Sequence, residues 1–74
     1  MSPVDVAVER RGVVAGFDDA AGYGELAEDG GVRWWFHCTA IADGSRRIPL
    51  GAAVRFRLAP GHLGRYEAID VRLG

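Results

Sequence analysis

A chain of 74 residues has the length of one domain and on folding buries only ~60% of the surface its unfolded form exposes, which keeps its core small. Hydrophobic residues at 49% against 26% charged exclude disorder over most of the length, while a formal net charge of -1 excludes a general attraction for phosphate. Eleven glycines, about twice the usual share of ~7%, suit short strands joined by tight turns better than helices. No apolar run approaches the ~20 residues of a membrane span, and no secretory leader pattern opens the chain, so a soluble cytoplasmic protein without a membrane partner is expected. Cys38 is the only cysteine, which rules out an internal disulfide and fits a reducing compartment. Cys38, His37 and His62 do not reproduce a zinc spacing, so neither a metal nor a cofactor is expected.

In chain order, Val4, Val6 and Val8 alternate with Asp5, Ala7 and Glu9, and residues 1–10 form an extra strand-like segment ahead of the main pattern. Gly12 to Phe17 is extended, and Asp18-Asp19-Ala20-Ala21-Gly22 is a polar turn. Tyr23 to Ala27 is a short second strand, and Glu28-Asp29-Gly30-Gly31 a hairpin turn whose glycines permit positive φ. The aromatic strand Arg33 to Cys38 follows. Thr39 to Ala42 is a single helical turn with Thr39 as its expected cap and Asp43-Gly44 ending it; Ser45 to Gly51 is a basic loop. Ala53 to Leu58 alternates, with Val54, Phe56 and Leu58 inward and two arginines outward. Pro60-Gly61 turns the chain into a last strand, Tyr66 to Leu73, whose apolar set is Ile69, Val71 and Leu73. Five short antiparallel strands in so small a chain cannot form two layers, but they can curl into a five-stranded OB barrel around one core, with a short helical turn after the third strand.

The aromatic strand is the centre of the pattern. Successive side chains of a strand point to opposite sides, so Trp34 and Phe36 share one side and Trp35 and His37 the other. If the first pair is core, together with Val54, Phe56 and Val71, the second puts an indole and an imidazole into water. That arrangement is costly unless something flat stacks there or a protein partner covers it.

The same stretch carries a resemblance. Trp34-Trp35-Phe36-His37-Cys38-Thr39-Ala40-Ile41 resembles the second nucleic-acid-binding motif of the bacterial cold-shock domain, and Gly22-Tyr23-Gly24-Glu25-Leu26 resembles its first. Gly12-Val13-Val14 leading to Phe17, Val54-Arg55-Phe56 and Ala68-Ile69-Asp70-Val71 match further strands in the same order, so the likeness runs from about Arg11 to Leu73. It implies an OB fold that binds single-stranded RNA or DNA, with Phe17, Tyr23, Trp35 and His37 at stacking positions, of which Phe17 could equally be core. The chain departs from the pattern where the family has further aromatics: Gly16, Glu25, Cys38 and Ser45 stand there, and Ala15 and Ala21 replace lysines. At ~1–3 kcal/mol per stacked base, the missing platforms lower the expected affinity by about a thousandfold.

Some charge is redistributed. Arg33 replaces an acidic residue of the family, and Arg46 and Arg47 fall in the loop after the helical turn, where they can meet a backbone. Glu25, between Tyr23 and Trp35, would repel phosphates, yet can accept hydrogen bonds from a cytosine amino group. No paired nucleophile and base or phosphate cradle occurs, and Asp18-Asp19 is turn chemistry, so an enzyme is not expected. The expectation is a cold-shock-like protein that keeps RNA unstructured or tunes expression by passive binding. The alternative is a small interaction module whose aromatic side meets a protein.

Overall fold

The computed structural model describes residues 8–28, 30–45, 47–61 and 64–74. They form five strands, β1 (Arg10–Asp18), β2 (Tyr23–Glu28), β3 (Arg33–His37), β4 (Ala53–Pro60) and β5 (Tyr66–Leu73), with one turn of 3-10 helix, Cys38–Ala40, between β3 and β4. The strands close into a barrel in the order β1-β2-β3-β5-β4, the OB arrangement expected from the sequence. Four of the five pairings are antiparallel. The closing one, β3 with β5, is parallel through Phe36 and Ala68, which corrects the all-antiparallel expectation. After β3 the chain crosses over to pair β4 with β1, and this crossover lets β5, antiparallel to β4, return parallel to β3. No helix among the described residues is long and apolar enough to cross a membrane. Val4 and Val6 of the expected N-terminal strand, Asp29, Arg46 and His62 lie outside the described residues.

Alternation builds the core where it is unbroken. Val54, Phe56 and Leu58 of β4 point inward beside Leu26, Phe36 and Val71, and all six are fully buried. Ile41 and Ile48, on either side of the loop after the 3-10 turn, close one end. Trp34 corrects the expected core. It is half-buried, with its indole N–H donated to the Glu28 carboxylate and the Arg10 guanidinium 5.6 Å above its ring. Arg10 Nε also donates to Glu28 at 2.7 Å, so the indole ends in a polar cluster instead of the interior, as its N–H requires.

Two bulges break the alternation. In β1, Val14 opposes Leu26 while Gly16 opposes Glu25, leaving Ala15 as the extra residue. The shift turns Phe17 to the same side as Val14. In β5, Arg72 opposes Arg55 and Ile69 opposes Arg57, so Asp70 and Val71 together face Phe56. Asp70 adopts φ +53 to allow it, a left-handed conformation that aspartate tolerates better than most residues. The buried residues of β5 are therefore Ala68 and Val71, whereas Ile69 is half-buried and Leu73 exposed. The expected set of Ile69, Val71 and Leu73 assumed an unbroken strand.

The helical turn also starts differently from its expected form. His37 is the cap, its ring accepting from the Thr39 amide, and the turn ends at Ala40 instead of at Asp43-Gly44. Asp43 instead accepts from the Ser45 amide at 2.8 Å, and that bond, with a second from the Ser45 side chain, holds its carboxyl below the usual carboxylate range.

Candidate nucleic-acid interface

The β2–β3 hairpin positions the site. Its register pairs Tyr23 with His37, Glu25 with Trp35 and Ala27 with Arg33, so these six residues share the outer side of the barrel. The inward pairs between them are Gly24 with Phe36 and Leu26 with Trp34. Trp35 keeps 53% of its surface exposed and Tyr23 37%. Their rings stack on each other at a centroid separation of 4.5 Å and an angle of 17°. Tyr23 is thus not a lone platform but one half of a pair. The two rings make one double-layered platform, with part of each residue still exposed.

His37 borders that platform. Its Nδ1 accepts from the Thr39 amide at 3.4 Å and lies 3.0 Å from Thr39 Oγ1, which fixes the ring. A neutral imidazole that accepts at Nδ1 carries its proton on Nε2, which leaves a hydrogen-bond donor at that atom.

Phe17 does not join them. The β1 bulge turns it inward at the edge, where it stacks on the buried Phe36 at 5.8 Å and 11°. Gly24 lies across from both rings: a Cβ there would approach Gly16 O to 2.5 Å, Phe36 Cζ to 2.8 Å and Phe17 Cδ1 to 2.9 Å. Glycine at this position lets the Phe17–Phe36 stack fill the space under β2.

Glu25 lies beside the platform as its alternation predicts, directly opposite Trp35. Its carboxylate is 3.6 Å from Arg33 Nη1, an exposed pair in which each charge offsets the other. Arg47 similarly approaches Asp19 of the β1–β2 turn at 3.8 Å. Of the sequence-based candidates, Tyr23, Glu25, Arg33, Trp35 and His37 are brought together, Phe17 rests against the core, Arg47 stands at the margin, and Arg46 is outside the described residues. The arginines of β4 and β5 escaped the sequence reading. Alternation had placed Arg55 and Arg57 outward, but their alignment with Arg72 depends on the β5 bulge.

Comparison with known proteins gives one class of match. No family model matches the chain, and no curated protein matches it. Among solved structures 34 chains match. One of them, Drosophila Unr CSD456, superposes on 90% of this chain with a TM-score of 0.70 and 25% sequence identity. The chain is similar to a cold-shock domain. The matched part is 27% of the Unr chain, so this chain spans well under two thirds of that protein's length. The likeness supports a cold-shock-type OB domain and bears on the barrel and its general class of surface.

Proposed function

We propose that this cold-shock-like barrel binds single-stranded RNA or DNA across the outer side of β2–β3, acting in the cytoplasm as a passive RNA chaperone or expression regulator. The observation that carries the reading is the exposed Tyr23–Trp35 stack. Stacking a base on its exposed surface removes apolar ring surface from water and is indifferent to base identity, because every base has a π-face. His37 supplies an Nε2 donor beside the platform, and Arg33 and Arg47 are within reach of a backbone once they release Glu25 and Asp19. No bond is made or broken in this mechanism. The few platforms and paired charges make the binding modest in affinity.

Tryptophan emission tests it. A mixed single-stranded oligonucleotide at low salt is expected to quench the Trp35 contribution, duplex is not, and Trp35→Ala is expected to abolish the response while the half-buried Trp34 still reports a folded chain. Unchanged emission at high micromolar oligonucleotide would favour the second reading, a protein-interaction surface, for which the pairing of Glu25 and Asp19 with the nearby arginines already speaks.

A further inference from the structure

Among the described residues, the aromatic side is not where positive charge gathers. Around Tyr23 and Trp35, Arg33 and Arg47 stand against Asp18, Asp19 and Glu25, and both arginines are engaged with those acids. The opposite flank is different. Arg11 of β1 is the Cα partner of Arg55 of β4, and Arg55 is the Cα partner of Arg72 of β5, so the three form one row across neighbouring strands. With strands ~4.8 Å apart the row spans about 10 Å. Arg57 stands one pleat further along β4 on the same side, and the acids there among the described residues are Glu9, 3.7 Å from Arg55, Asp70, 3.0 Å from both Arg57 and Arg72, and Glu67, the β5 partner of Ala59. Among the described residues, four arginines against three carboxylates leave this flank net positive, whereas two arginines against three carboxylates leave the aromatic side net negative. The chain contains no lysine. All nine of its basic residues are arginine, whose planar fork grips phosphate oxygens in pairs.

The row opens into a pocket of about 380 Å³, within the ~300–1,000 Å³ of small-ligand pockets. Ile41, Ile48 and Val71 line it with apolar surface, and Arg47, Arg55 and Arg72 bring charge to it. Asp43, the acid among the lining residues, is already engaged by the Ser45 amide. Arg55 Nε is shielded from solvent and has no acceptor among the described residues. Arg47 belongs to both regions, lining the pocket while reaching Asp19 in the turn that precedes Tyr23.

We infer that the β1–β4–β5 flank is a second site, for phosphodiester groups of the same single strand whose bases stack on Tyr23 and Trp35. The inference rests on the proposed strand binding and extends it: the aromatic side holds bases, and the arginine row holds the backbone beyond them. The total site is accordingly longer than the aromatic side alone.

Strand length separates the two. The probes are oligothymidines of about four and about twelve nucleotides, which bracket much of the range of OB site sizes. Arg55→Gln with Arg72→Gln keeps most of each stem and removes the charge. This double variant is expected to weaken the long strand about tenfold and to reduce its log-log salt slope by ~0.7 per lost contact, leaving the short strand unchanged. Asp70→Asn withdraws the carboxylate that occupies Arg57 and Arg72, and asparagine tolerates the positive φ at that position. It is expected to tighten the long strand alone. A long strand that binds the parent no better than the short one overturns the inference and leaves the functional reading standing; so does an equal loss for both lengths in the double variant. Polyglutamate bound as tightly as the long strand would assign the row to an acidic protein segment and overturn it as well. If neither length binds the parent protein, the functional reading falls first and the inference with it.

Discussion

The inner and outer sides of the β2–β3 hairpin are made from alternating residues of the same two strands, yet they answer to different constraints. Inside, Leu26 and Phe36 are fully buried, Phe17 stacks on Phe36, and Gly24 is required by the contacts its Cβ would make. Outside, Tyr23 and Trp35 lie on each other with part of each still exposed, and Glu25 pairs with Arg33 at the surface. Packing therefore dictates the inner residues and leaves the outer ones to whatever binds there. An exposed double ring that the fold does not need is more informative about function than any buried aromatic of the same hairpin.

The comparison breaks most visibly at Phe36. Truncation to alanine removes a ring with 1% exposure from the centre of the core and deprives Phe17 of its stacking partner. Such losses cost ~3–5 kcal/mol, close to the whole stability of a domain this small, roughly 4–11 kcal/mol. Phe36→Ala is expected to be largely unfolded at 25 °C, with the loss of a cooperative thermal transition as the measurement. A melt near that of the parent would mean that the two sides of β3 are assigned the wrong way round.

Trp35→Ala tests the other side and is the converse case. Its effect on stability is expected to stay near the ~0.5–1.5 kcal/mol of one aromatic pair, because more than half of the residue's surface faces water already. Its effect on strand binding should be larger, ~1–3 kcal/mol, since it removes half of the platform and unsettles Tyr23. Chemical denaturation and a fluorescence-anisotropy titration of the same variant measure both. A loss of stability that exceeds the loss of binding would make Trp35 a structural residue and remove the contrast between the two sides.

Much of this was legible in the sequence wherever alternation ran unbroken. Val54, Phe56 and Leu58 follow it, and so does the division of Trp35 and His37 from Phe36. It failed at the bulges, because an inserted residue such as Ala15 or the left-handed Asp70 has no hydrophobic signature, yet each shifts everything after it by one position. The bulge settles Phe17, which the sequence left open between a stacking position and the core, on the inner side, and Leu73 moved out. Trp34 was misplaced for another reason: alternation gives the side but not the depth, and this indole reaches the rim where Glu28 and Arg10 meet it. The arginine row was illegible because it joins residues from three distant strands whose registers no local pattern specifies.

The smallest expected effect, and the sharpest test of the outer side, belongs to Glu25. Its carboxylate stands opposite Trp35, where a stacking phenylalanine occurs in cold-shock domains, but the Arg33 guanidinium 3.6 Å away offsets its charge. Both side chains are exposed, so solvent and salt screen what repulsion remains. Glu25→Gln removes that remainder and releases Arg33 toward the backbone, and is expected to tighten mixed single strands only about two- to threefold, fading as salt rises. Glu25→Phe adds a ring beside an existing double platform. The added stacking, at the lower end of ~1–3 kcal/mol, corresponds to about tenfold tighter binding that persists in salt. Titrating both variants at low and high salt separates a charge from a platform. Equal gains that vanish together in salt would show that the position acts through its charge alone, and flattened base preference without a change in mean affinity would assign Glu25 to reading a base edge.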